Sequence, residues 1–220
     1  MTPDAGPKHD DVHDEDEAHL TEWTPEILIS ISGFDEVFLA ESKRAVDRAT
    51  EGLARADAPA VAGATAAAVL LAAAACEARL SEYVTGHETA IGAETVKEIR
   101  RPTRGRGDPA KQWRRLLENR AATFEYEKNS VFRALRCLFE LRDLVAHRHA
   151  RYFKPGDWPE KLKACVARKA IPVHEEAYID WTSGVYVQKV AAWAHQTASD
   201  WLAIANSLGI GSGSLIIEER

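Results

Sequence analysis

At 220 residues, with 45% hydrophobic and 28% charged positions, the chain has length for one sizeable core and little left for a second full domain. The formal charge of −6 comes from the first 22 residues, where Asp4, Asp10, Asp11, Asp14, Glu15, Asp16, Glu17 and Glu22 stand against Lys8 alone; the remainder holds 27 basic and 26 acidic residues, so an acidic balance does not exclude a polyanionic partner. Three cysteines without a CxxC pair exclude a sequence-defined zinc site or disulfide framework, and predict reduced thiols at Cys76, Cys137 and Cys165 in a cytoplasmic protein.

Residues 1–22 are poor in large apolar groups and read as a disordered tail; His9, His13 and His19 within it lack anything to fix a metal geometry. No basic segment followed by an apolar one opens the chain, so no secretion signal is expected. Residues 23–210 read as one helical domain, entered through Trp23-Thr24-Pro25 and the apolar run Ile27–Ile31, and residues 211–220 as a flexible tail.

From Phe34 the spacing turns helical. Phe34, Val37, Phe38, Glu41, Ala45, Ala49 and Leu53 recur at three- and four-residue steps and predict an amphipathic helix with that stripe inward. After Asp57-Ala58-Pro59 comes Ala58–Cys76, nineteen uncharged residues of which eleven are alanine. Alanine adds little transfer free energy, so the expectation is a central helix packed on several sides, with no membrane partner. It continues through Glu77, Leu80, Tyr83 and Val84 to Gly86. A short segment and a basic linker lead to helices expected at residues 110–125, 129–152, 158–169 and 185–208, the second capped by Asn129 or Ser130 and the last ending at Gly209. Helices with short polar connections define an all-α, up-and-down bundle with short accessory helices.

The charged end of the 129–152 helix carries the chemistry. At 100° per residue Val131, Leu135, Leu138, Arg142, Val145 and His149 share one stripe, so Arg142 stands where an apolar residue belongs. Such a charge needs a partner or a ligand. Glu77 of the alanine-rich helix is the candidate partner, and a purely structural Arg142–Glu77 ion pair is the alternative to a site. Arginine binds phosphate oxygens through a planar fork and histidine titrates near neutrality, the two groups that phosphodiester chemistry calls for. His149 shares the stripe with Arg142, whereas His147 is about 140° away in an ideal helix and needs an unwound turn or a second subunit to join it.

The segment Arg142-Asp143-Leu144-Val145-Ala146-His147 resembles the Rx4–6H motif of HEPN domains (higher eukaryote and prokaryote nucleotide-binding), and Arg142 to His149 fits its longer form. The alanine-rich run with Glu77 is similar to the central helix of bacterial HEPN proteins. The resemblance implies a homodimeric, metal-independent ribonuclease without cofactor, from toxin–antitoxin or phage-defence settings, with a possible antitoxin partner. His147 would assist attack by the ribose 2′-hydroxyl, Arg142 would stabilise the phosphorane, and Asp143 would orient either of them. The tyrosine that one toxin subgroup carries two residues after the histidine is replaced here by His149.

Arg100, Arg101, Arg104, Arg106, Lys111, Arg114 and Arg115, interleaved with Trp113, suit backbone contacts and base stacking on single-stranded RNA; the alternative is a solvated loop with Trp113 in the core. Arg148 and Arg151 extend the positive charge. A G-x-S-x-G nucleophile, a P-loop and a G-x-G-x-x-G turn are all absent from the sequence. The second functional reading is therefore a non-catalytic helical module binding nucleotide, RNA or a protein.

Overall fold

A computed structural model describes residues 33–101, 108–147, 158–173 and 181–211. The acidic tail, the lead-in at Trp23–Ile31, the linker arginines Arg104 and Arg106, the stretch holding Arg148, His149 and Arg151, and the tail beyond Gly211 lie outside the described residues. Among the described residues every regular element is helical: α1 Phe34–Ala54, α2 Ala58–Gly86, α3 Glu88–Ile91, α4 Ala93–Arg100, α5 Pro109–Arg120, α6 Ser130–Ala146, α7 Glu160–Ala167, α8 Trp181–Val185 and α9 Gln188–Ser207. The chain is an all-α bundle in which α2 packs against α1, α6 and α9, while α4 lies on α5 and α7 on α6.

All four helices expected after the basic linker are shorter than the sequence predicts, α7 and α9 by trimming at both ends. The helix expected at 110–125 ends at Arg120, where the chain turns through residues 121–129 before Asn129 caps α6 by accepting from Phe132 N–H at 2.9 Å. The helix expected to reach residue 152 ends at Ala146, with His147 at φ −111° and ψ 45°.

The buried face of α1 is only partly the expected one. Ala45 and Ala49 of the expected stripe are buried and Phe38 is half-buried against the core, whereas Phe34, Val37 and Leu53 are exposed and Ser42, Val46 and Gly52 take inward positions. Small side chains win this face because the neighbour is the alanine helix, and only a small-on-small seam lets two backbones approach closely. Ser42 Oγ donates to Ala68 O at 3.1 Å, and a Cβ on Gly52 would come within 3.1 Å of Val61 N. The α1–α2 turn closes by a Schellman pair, Asp57 N–H to Gly52 O at 2.9 Å and Ala56 N–H to Leu53 O at 3.0 Å, with Ala56 at φ 54° where glycine is usual. Asp57 then caps α2 by accepting from Ala60 N–H, followed by Pro59 in the first turn.

Ala68, Val69, Ala72, Ala73, Ala75 and Cys76 of α2 are fully buried. Among the described residues α2 is the helix long and apolar enough to cross a membrane, and half of its most apolar stretch is covered by the bundle. Around α9 the core is aromatic. Trp201 of α9 is met edge-on by Trp113 of α5 and at a tilt by Phe132 of α6, both with ring centroids 5.2 Å away. Such pairs add about 0.5–1.5 kcal/mol beyond their buried area.

The expectation of three reduced thiols is corrected. Cys137 of α6 and Cys165 of α7 form a disulfide with Cα atoms 5.9 Å apart. The inner face of α7, Leu162 and Cys165, packs on α6 and so brings together two cysteines 28 residues apart in sequence. Cys76 is the thiol, and complete burial pushes its pKa far up, leaving it chemically inert.

One buried arginine ties α1, α2 and α9 together. Arg79 of α2 binds the carboxylate of Asp35 on α1, the Asn206 side chain on α9 and, at 3.3 Å, the Ile210 carbonyl. Asp35 is wholly buried and Arg79 nearly so, which makes loss of one partner costly. Arg79→Met is expected to lower the unfolding free energy by about 3–5 kcal/mol in urea titration, and adding Asp35→Asn is expected to recover part of that loss. On α9, His195 Nδ1 is enclosed without a hydrogen-bond partner among the described residues, and burial of the ring, aided by Lys43 and opposed by Asp47, lowers its pKa. The unfolded chain then takes up the proton first, so stability falls as pH drops below about 6.5 and levels off below the folded pKa. His195→Gln is expected to flatten this decline between pH 7.5 and 5.5, read from urea midpoints.

Candidate functional site

The sequence-marked arginine is found where α6 runs past α2. Leu135, Leu138 and Leu141 bury the body of α6 and fix its rotation, which aims Arg142 along the seam between the two helices. The guanidinium binds the Glu77 carboxylate through Nη2 and lies 3.1 Å from Asp143 Oδ1 through Nη1. Its carbon stands 6.0 Å from the Phe139 ring centroid. With side-chain exposures of 22% for Arg142, 38% for Glu77 and 40% for Asp143, the group is open to a solute on one side. Five N–H donors on the guanidinium leave capacity after two carboxylates are served.

Lys161 of α7 extends the cluster and was not marked by the sequence. Its ammonium lies 3.3 Å from Glu140 Oε2 and 3.7 Å from Asp143 Oδ2. Nothing in the local pattern around Lys161 points to α6; the sequence signal nearest to it is Cys165, four residues on, which the sequence alone presents as a free thiol.

His147 is exposed at the position where α6 stops, its N–H bonded to Asp143 O at 3.0 Å. That is the ordinary helical i to i−4 bond, so the turn between Arg142 and His147 stays wound, and the unwinding that a co-facing pair within one chain requires is not present up to His147. Within one chain no hydrogen bond among the described residues joins the two side chains. His149 lies outside the described residues. Among the described residues no three histidine, cysteine, aspartate or glutamate side chains converge as a metal-binding group. A groove of about 360 Å³ lined by Arg48, Glu51, Arg55, Ala60, Gly63, Ala64 and Ala67 sits at the opposite end of α2, roughly 15 Å or more along the axis from Glu77, and is unrelated to this cluster.

The basic stretch is largely spoken for by the fold. Arg114 donates to Glu118 at 2.8 Å and covers the Tyr126 ring, Arg115 donates to the Glu98 and Arg101 carbonyls at the end of α4, Arg100 donates to Thr85, and Lys111 pairs with Asp108. The Arg114 guanidinium, with the Tyr126 hydroxyl, holds the Glu118 carboxyl below its ordinary range. Trp113 is fully buried and cannot stack on a base, so the core reading applies to it. Arg101 is exposed, and Arg100, Lys111 and Arg114 remain on the surface.

No protein-family model, curated protein or solved structure matches the chain.

A half-exposed ion pair contributes little to folding. Glu77→Gln is expected to change the unfolding free energy by about 1 kcal/mol or less in urea titration. A loss several times larger would make the Arg142–Glu77 pair a structural element of the core.

Proposed function

We propose that this chain is a metal-independent endoribonuclease of HEPN type that acts as a homodimer. The observation that carries the reading is the presentation of Arg142: a guanidinium on the apolar stripe of a core helix, oriented by Glu77 and Asp143, open on one side, with an exposed histidine one turn further on at the helix end. Holding a guanidinium by two carboxylates fixes its plane before substrate arrives, which is the preorganisation that electrostatic catalysis uses. In the proposed reaction His147 takes the proton of a ribose 2′-hydroxyl as its oxygen attacks phosphorus. Arg142 meets the charge that grows on the phosphorane oxygens. The P–O5′ bond breaks, leaving a 2′,3′-cyclic phosphate and a 5′-hydroxyl that is protonated as it leaves. A second protomer packed along α6 would bring its own arginine and histidine to the same cleft, so that four groups serve one phosphodiester.

Single-stranded RNA is the substrate class that leaves a 2′-hydroxyl free to align with the leaving group. Its backbone would run over Arg100, Arg101, Lys111 and Arg114, with contacts to phosphate in place of base stacking on Trp113. A second reading, a binding module without catalysis, draws on one observation: both terminal nitrogens of Arg142 already face carboxylates.

The test is cleavage of mixed-sequence, end-labelled RNA by the full chain in EDTA, with end-group analysis. Arg142→Ala and His147→Ala are each expected to reduce cleavage at least about 100-fold, as loss of a positioned acid–base group does, with unchanged urea midpoints for His147→Ala. Absence of cleavage over a wide enzyme range with retained RNA binding would select the binding module.

A further inference from the structure

We infer that the Cys137–Cys165 disulfide is a redox control on the Arg142 cluster, acting through Lys161. The inference deepens the ribonuclease reading and depends on it only for the activity measurement. α7 has eight residues, too few to persist as a helix without tertiary support. It is held on α6 by buried Leu162, by the disulfide, and by the Lys161 contacts to Glu140 and Asp143. The bridge starts on α6 five residues before Arg142 and reaches α7 four residues after Lys161, so the covalent tie and the ion contacts lie on neighbouring turns of the same two helices.

The charge balance gives the direction. With Lys161 in place, Glu77, Asp143 and Glu140 face two cations, Arg142 and Lys161; without it they face one. Reduction, by releasing α7, leaves the cluster one unit more negative where a phosphodiester must bind. Asp143, no longer shared, also holds Arg142 more fully. The disulfide form is therefore the competent one. The exchange is balanced by a dithiol reductant: one thiolate attacks a sulfur of the bridge, its second thiolate resolves the mixed disulfide, and two electrons and two protons pass to Cys137 and Cys165. Cys76, fully buried with its thiol pKa raised, takes no part.

Hydrogen exchange by mass spectrometry on the full chain, oxidised or treated with dithiothreitol, tests this together with RNA cleavage. Reduction is expected to speed exchange over residues 160–167 and 140–146 while α2 and α9 are unaffected, and to lower cleavage about five-fold at low salt, the size of one unit charge acting over roughly 8 Å through an intermediate dielectric. Cys165→Ser should behave this way without reductant. Lys161→Met should lower cleavage with the disulfide intact, and Lys161→Arg should restore it. Unchanged exchange over 160–167, equal cleavage in both states, or three thiols alkylated under denaturing conditions after treatment with a disulfide-forming oxidant would each overturn the proposal. If neither state cleaves RNA, the ribonuclease reading fails by itself; faster exchange at 140–146 on reduction would still support coupling to the cluster, and its absence would end it.

Discussion

The alanine-rich surface of α2 is the constraint on which the other helices depend. A helix with almost no side-chain volume cannot space its neighbours, so they approach until backbones limit them. The helix that runs closest along it, α1, must then present small groups at the crossing. That is why α1 turns Ser42, Ala45, Ala49 and Gly52 inward and leaves Phe34, Val37 and Leu53 in water. Close approach also lets polar atoms reach across: Ser42 finds the Ala68 carbonyl, and Glu82 of α2 accepts from the N–H groups of Gly33 and Phe34, capping a helix whose own cap residue has no side chain.

The same helix carries two charges with opposite fates. Glu77 and Arg79 are two residues apart and so point to nearly opposite sides of α2. Arg79 enters a closed space between α1 and α9, and its partners are all inside the protein. Glu77 faces α6 at an open seam. Both form ion pairs, yet burial gives them different roles: the enclosed pair resists loss of either partner, while the open one contributes little stability and leaves a guanidinium accessible to a solute. Exposure, not the presence of a salt bridge, separates the structural arginine from the candidate functional one.

The aromatic end of the bundle shows how one segment serves two demands. α5 places Trp113 and Leu116 in the core while Arg114, Glu118 and Lys111 lie on the surface, so the tryptophan that sits among the arginines in sequence is on the opposite face from them in space. Proximity in sequence to basic residues said nothing about which side of the helix the ring would occupy. The helical period did, since Trp113, Leu116 and Leu117 follow three- and four-residue steps.

The all-α architecture, the helix starts at Asp57-Pro59 and Asn129, the stop at Gly209 and the Glu77–Arg142 pairing were legible in the sequence, because each rests on local rules of capping and period or on a charge interrupting an apolar stripe. The exposure of Phe34, Val37 and Leu53 on α1, the early end of α5, the Cys137–Cys165 bridge and Lys161 beside Asp143 were not. These depend on distances between helices, which the chain sets only by packing: small-on-small contact kept Ala45 and Ala49 of the α1 stripe inside and left its large residues out, and folding α7 onto α6 joined cysteines whose separate contexts gave no sign of each other. The sequence by itself determined which residues could carry charge, caps and core. The tertiary structure decided which of those charges stay open to a ligand, because accessibility is a property of the seam between helices and not of either helix alone.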